Sequence, residues 1–320
     1  MKKSKIFITL LISIIIVALI INPKHYMEIT LNALIVWATL LVPSLFPFFF
    51  FTRIFSSLNL TQPIAKLLNP ATKKLYKCSG SSGYIFTMSI LSGYPVGSKI
   101  TADLYENGSI SESEIKTITA FTSNSGPMFI LGTVGIGMLL SRTAGIIIFI
   151  SHILGALING FIYKRQNGKE IKIKCLQNEN KDTLTESMYN SIQSILMVGG
   201  YVVICFVLSN ILIDLKIFNP IAIAIENIFK IDRNIIVNIL SGLIEMTNGC
   251  LSISSTNLSL QIKTIMCCFL ISFGGISTLL QAMSFLKKCG VSYKLFIIQK
   301  ITHSIISTIS CVLLSLFIPL

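Results

Sequence analysis

The sequence predicts an all-α polytopic membrane protein. It is expected to hold two inverted-topology repeats, each with a re-entrant hairpin and a broken helix, preceded by one extra N-terminal helix. Three observations lead there. Of the 320 residues, 52% are hydrophobic and only 12% charged, with a mean hydropathy of +0.77. A soluble domain of this size carries about 25% charged residues, because its surface must be wetted. The apolar residues also arrive in blocks, with room for roughly eight to ten crossing or re-entrant elements at about 20 residues per span. Finally, glycine-marked breaks recur at one spacing. The composition excludes collagen-like, disordered and disulfide-scaffold chains.

The net charge of +13 does not point to nucleic acid. Lysines and arginines sit between apolar blocks, where they orient a membrane protein, and no basic stripe alternates with aromatics. The lipid bilayer is the expected partner, and no nucleic acid is. Eight cysteines are scattered without CxxC or Cys/His spacing, so no metal and no cofactor is expected.

The N-terminal helix is assigned to residues 1–28. Met1-Lys2-Lys3-Ser4-Lys5 precedes the apolar run 6–21, and no small-x-small cleavage site follows. A retained helix with a cytoplasmic N-terminus is expected. The first repeat is assigned to 29–163. Its opening block, 29–52, carries Pro43 and Pro47, which should kink or break it. Lys66, Lys73, Lys74 and Lys77 then mark a cytoplasmic stretch. The apolar run 84–94 is about 16 Å of helix, half the hydrocarbon thickness, and closes on Gly93, Pro95 and Gly97. That pattern suggests a re-entrant hairpin.

Ser111 and Glu114 form a capping-box signal, with Ile110 and Ile115 as the hydrophobic staple. The helix they start is interrupted at Ser123-Asn124-Ser125-Gly126-Pro127, and a span over 143–163 follows. Residues 164–186, six basic against four acidic, read as a cytoplasmic linker. The second repeat, 187–320, has a span over 187–213 and a charge-balanced outer loop over 214–233. A short apolar piece, 234–246, breaks at Thr247-Asn248-Gly249. A long helix, 262–286, is interrupted at Ser272-Phe273-Gly274-Gly275, and the last span is 295–318.

Ile90-Leu91-Ser92-Gly93 recurs as Ile239-Leu240-Ser241-Gly242, an offset of 149 (239 − 90). Ser123-Asn124-Ser125-Gly126 aligns with Ser272-Phe273-Gly274-Gly275 at the same offset (272 − 123). Two breaks held at one spacing indicate duplication. The first unit follows a basic stretch and the second a neutral loop, so the units are expected to be inverted. Inverted repeats with interrupted helices point to secondary transporters; the same glycines can also serve close helix packing.

A helix broken inside the membrane exposes N–H groups that attract anions and carbonyls that suit cations. The expected substrate-binding residues are Ser92, Gly93, Lys99, Ser123, Asn124, Ser125 and Gly126 from the first unit. From the second they are Glu245, Thr247, Asn248, Ser272, Gly274, Gly275, Ser277 and Gln281. Glu245 is the one acid kept inside apolar sequence. It can carry a coupling H+ or help hold Na+, or it can simply cap the hairpin's second helix. Lys99 can meet a carboxylate or snorkel to the interface. His152 and His303 read as packed, hydrogen-bonded residues rather than a proton relay. No G-x-S-x-G, H-E-x-x-H or P-loop is present, so no catalytic residues and no enzyme activity are expected.

The runs Ser92-Gly93-Tyr94-Pro95-Val96-Gly97-Ser98-Lys99, Leu104-Tyr105-Glu106-Asn107-Gly108 and Ser123 to Gly135 resemble the nucleoside-recognition gate domain. More narrowly, they are similar to the YlbJ (SpoVV) family of sporulation integral membrane proteins. Leu243 to Gly249 and Ser272 to Ser277 extend the resemblance, which covers roughly residues 30–310. The chain departs from the pattern at Thr122-Ser123, where Cys-Asn is usual, and at Thr278-Leu279. The resemblance implies a role in endospore formation, moving dipicolinate across the mother-cell-derived outer forespore membrane. It also implies an architecture akin to concentrative nucleoside transporters. A carrier or facilitator of a small anion is therefore expected, against two alternatives: a non-transporting scaffold and a nucleoside carrier.

Overall fold

A computed structural model describes residues 3–57, 61–164 and 184–320. Every regular element among them is helical. Five stretches are long and apolar enough to cross a membrane: Pro23–Ile54, Arg142–Ile162, Leu184–Asp214, Leu260–Cys289 and Tyr293–Phe317.

The chain opens with α1 (Lys3–Ile21) and α2 (Pro23–Val36). Pro23 takes the first helical position of α2, where its missing N–H is not needed. The expected boundary after residue 28 therefore falls inside α2. A π-helical turn, Trp37–Leu41, joins α2 to α3 (Val42–Ser57). The expected break is thus a change of winding. A wide turn just ahead of Pro43 accommodates the carbonyls that proline cannot serve, and Pro47 lies within α3.

The basic stretch contains an amphipathic helix, α4 (Thr61–Tyr76), against which α5 (Gly80–Ser92) lies. Only glycine permits that approach: a Cβ at Gly80 would overlap the Ala65 carbonyl, and one at Gly83 would come 2.6 Å from the Leu68 Cβ. A turn through Gly93, Tyr94 and Pro95 leads to α6 (Val96–Glu106), giving the expected short helical pair. The capping box forms as read, starting α7 (Glu112–Phe121). Glu114 does more than cap. Its buried carboxylate also accepts the Ser79 amide at 2.6 Å, so one side chain ties the starts of α5 and α7. After non-helical residues 122–126 the chain resumes as a π-helix, Met128–Met138, and then α8 (Arg142–Ile162).

The linker expected at 164–186 lies, from 165 to 183, outside the described residues. Beyond it comes α9 (Leu184–Asp214). The stretch expected as an outer loop holds a helix, α10 (Asn219–Phe229), whose apolar residues the charge count alone did not weigh. Next come α11 (Arg233–Ile244) and α12 (Met246–Ser254). They part at Glu245, two residues before the expected break, so Thr247, Asn248 and Gly249 form the first turn of α12. The set closes with α13 (Leu260–Phe273), α14 (Gly275–Leu286), a 3-10 turn over Lys287–Cys289, and α15 (Tyr293–Phe317). Gly274, at φ +88°, breaks the long helix where expected.

The order of elements recurs. Helices beginning at Gly80, Val96, Glu112, Met128 and Arg142 are followed by helices beginning at Arg233, Met246, Leu260, Gly275 and Tyr293. The displacements run from 147 (275 − 128) to 153 (233 − 80). Between helices in lipid, apolar burial gives little net drive, so close packing and hydrogen bonds must hold the pairs. The α8–α15 seam shows both. Gly155 faces Ser307 with no room for a side chain, while the Asn159 amide donates to the carbonyls of Ala120 (2.7 Å) and Gln299 (3.0 Å).

Candidate functional site

The helix breaks converge. Gly93, at φ +75°, backs onto Gly126 so closely that a Cβ would stand 2.6 Å from the Gly126 nitrogen. Gly97 abuts the Thr122 carbonyl, with no space for a methyl group. The α5–α6 turn therefore rests directly on the break after α7. In the second series the break at Gly275 rests on the end of α11, where a Cβ would lie 3.1 Å from the Ile244 carbonyl oxygen. Tyr94 spans the two series: its hydroxyl donates to the Ile271 carbonyl at 3.4 Å.

A histidine bridges the breaks. The Ser125 amide donates to His152 Nε2 at 3.0 Å, and His152 Nδ1 lies 2.9 Å from the Ser272 hydroxyl. Because Nε2 accepts, the neutral ring carries its proton on Nδ1, which donates to Ser272. The rings of His152 and His303 are 4.8 Å apart, and His303 Nε2 is 3.0 Å from the His152 carbonyl. Both histidines are packed and hydrogen-bonded, as expected of them.

Between the breaks lies a small cleft of about 30 Å³, with Tyr94, Ser125, Gly126, Glu245, Thr247 and Gln281 among its walls. The starts of the π-helix and of α12 both reach it, so partly positive helix ends face this space. Glu245 serves two purposes. Its carboxylate accepts the Asn248 amide at 2.7 Å, capping α12, and it forms part of the cleft wall although only 1% exposed. The capping reading is correct and does not remove the residue from the cleft.

A wider vestibule of about 280 Å³ lies nearby, lined by Arg53, Lys99, Asp103, Asn190 and Gln193 among others. Cleft and vestibule are lined by different residues of the same helices. Leu45, Val198 and Gln281 line the cleft, and Phe49, Ser194 and Phe285, each four residues along the same helix, line the vestibule. Four residues is about one helical turn, or roughly 5.4 Å. Tyr94 and Pro95 divide the two spaces in the same way. The two therefore lie at successive levels along the same helices.

The remaining expected residues are placed around these two spaces. Lys99 lines the vestibule rather than the cleft. Asn124 turns back into its own unit, donating to the Ser89 hydroxyl (3.0 Å) and the Phe121 carbonyl (2.8 Å). Asn248 donates to Ser209 and Ser241, both at 3.0 Å, and so braces α12. Ser277 accepts the Gln281 amide at 3.2 Å. Ser272 belongs to the histidine bridge, and Gly274 and Gly275 to the break itself. Ser92, Ser123 and Asn124 each retain a buried side-chain oxygen with no hydrogen-bond partner.

Sequence reading missed Lys300. It lies within the apolar helix α15 and is 3% exposed. Its ammonium donates to the Tyr94 hydroxyl at 2.6 Å and to the Ser123 carbonyl at 3.0 Å, and it sits 4.8 Å from the Tyr94 ring centre. No ion pair found among the described residues includes it. The signal was available: a lysine away from the ends of an apolar span is costly and invites a functional reading.

Apolar spans long enough to cross a membrane, together with internal helix breaks, define the class: a polytopic helical integral membrane protein. Within that class, the chain is 26% identical over 319 residues to the sporulation integral membrane protein YlbJ of Bacillus subtilis (strain 168). The alignment covers 92% of this chain and 78% of that protein, so the similarity runs through nearly the whole chain. No family model matches the sequence, and no solved structure matches the fold.

Proposed function

We propose that this protein is a secondary carrier or facilitator of a small anionic metabolite, with dipicolinate during endospore formation as its cargo. The observation that carries the reading is the cleft where both hairpin turns and both helix breaks meet, one helical turn from a vestibule lined by Arg53 and Lys99. Irregular backbone at membrane depth is tolerated where it lines a cavity, and transporters bind their cargo at such breaks. The name of the Bacillus subtilis relative, a sporulation integral membrane protein, supports the setting. In this reading the two series are inverted across the bilayer, the short helical pairs are re-entrant, and the N-terminus is cytoplasmic. The membrane is the outer forespore membrane.

Glu245 then acquires a role. An anionic cargo would share the cleft with its carboxylate, and like charges 4 Å apart repel by about 4 kcal/mol at an effective dielectric of 20. A proton or a sodium ion on Glu245 removes that repulsion, which links cargo entry to a coupling cation. Purified protein in liposomes loaded with labelled dipicolinate tests the proposal. Protein-dependent efflux is expected, with a large loss in Glu245→Ala. A scaffold would give no flux, and a nucleoside carrier would move labelled nucleosides instead.

A further inference from the structure

Lys300 is a buried cation beside the cleft wall that the reading above does not use. It is almost fully buried, and its hydrogen-bond partners are two uncharged oxygens, the Tyr94 hydroxyl and the Ser123 carbonyl. Tyr94 is the side chain between Lys300 and the cleft: one part of it forms cleft wall and its hydroxyl holds the ammonium. The same turn and break carry three buried oxygens without partners, Ser92 Oγ, Ser123 Oγ and Asn124 Oδ1. A buried ammonium held by neutral oxygens gains far more from a carboxylate, since charge-assisted bonds are roughly twice as strong as neutral ones.

We infer that Lys300 is the residue that pairs with a carboxylate of the cargo, and that Tyr94 is its exchangeable partner. Rotation of the Tyr94 ring about its side-chain bonds releases the ammonium, and a cargo carboxylate oxygen takes the place of the phenolic hydroxyl. The Ser123 carbonyl stays on the ammonium and keeps it aimed at the first break. Glu245 lines the cleft too, so selectivity divides between the two charges. Lys300 selects a carboxylate, and Glu245 demands that a cation accompany it. This inference rests on the carrier reading and assigns the charge that recognises the cargo.

The test measures binding of three pyridines of similar shape to the full-length protein in lipid nanodiscs: the 2,6-dicarboxylate, the 2-carboxylate and the neutral 2,6-dicarboxamide. Lys300→Gln should weaken the dicarboxylate at least about thirtyfold, as expected for truncating one side of a buried charge pair. It should change the dicarboxamide less than about threefold. Lys300→Arg should restore most of the lost affinity. Tyr94→Phe removes the competing hydroxyl and keeps the lysine, so it should bind the dicarboxylate more tightly. A purely structural lysine predicts the opposite pattern, with Lys300→Gln and Tyr94→Phe weakening all three ligands together, and that pattern overturns the assignment. If Lys300→Gln does not fold, the sign of the Tyr94→Phe effect decides by itself. Dicarboxylate binding unchanged in a folded Lys300→Gln protein overturns this inference and leaves the carrier reading intact. Failure of the unmodified protein to bind any of the three overturns both.

Discussion

The Nδ1 of His152 lies 2.9 Å from the hydroxyl of Ser272, and that contact ties the break of the first helical series to the break of the second. The other ring nitrogen accepts the Ser125 amide, so a single imidazole satisfies a backbone amide of the first break and a hydroxyl in the last turn of α13. His152→Ala leaves the buried Ser125 N–H without an acceptor, at a cost of roughly 1–3 kcal/mol. Melting of the detergent-solubilised protein should fall by several degrees. His152→Gln, which can still accept, should fall less. Equal melting of all three proteins would refute the bridge.

Close backbone approach at the first hairpin predicts a contrast between two glycines. A Cβ at Gly97 would overlap the Thr122 carbonyl oxygen, a backbone atom that cannot move aside without shifting the break. A Cβ at Gly200, inside α9, meets nothing within 4 Å. Gly97→Ala should lower the yield of folded protein and abolish flux. Gly200→Ala should match the unmodified protein or gain up to about 1 kcal/mol from helix propensity. Comparable behaviour of the two would mean the hairpin does not sit on the break.

Replacing Glu245 by glutamine separates capping from charge. The amide oxygen of Gln can still accept the Asn248 N–H, now 2.7 Å from the carboxylate, while the charge is gone. Folding should persist with a loss of about 1 kcal/mol or less, and flux should no longer respond to an imposed proton or sodium gradient. Gradient dependence retained in Glu245→Gln would assign coupling elsewhere.

The proposed inversion is a question of sidedness. Lys74 on α4 and Asn227 on α10 are exposed, and the described native cysteines are all buried. In a Cys175→Ser background, single cysteines at 74 and 227 should label with an impermeant maleimide from opposite faces of a sealed vesicle. Labelling from one face would make the two series parallel.

Much of the molecule is legible in one dimension because its signals are local. The Ser111–Glu114 capping box formed as written, since both hydrogen bonds close within four residues. The break at Gly274 stands where read, because a left-handed backbone turn selects glycine wherever it occurs. Where a signal depended on context, it shifted. Pro43 produced a π-helical turn upstream rather than an interruption, and the second hairpin turned at Glu245 rather than at Thr247. The stretch 214–233 was read from charge balance as a loop and folds into α10, because a charge count says nothing of periodicity.

By itself the sequence determined that this chain belongs in a membrane, where its helices break, and that one carboxylate is kept among apolar residues. Those properties follow from composition, spacing and backbone preference over a few neighbouring residues. Only the tertiary structure decided what the broken ends meet. Lys300 and Tyr94 touch across 206 residues of chain, and His152 reaches Ser272 across 120. Nothing local marks such a pair. In a medium that offers few hydrogen bonds of its own, a buried ammonium or imidazole takes the partners that packing brings to it, and packing is a property of the whole fold.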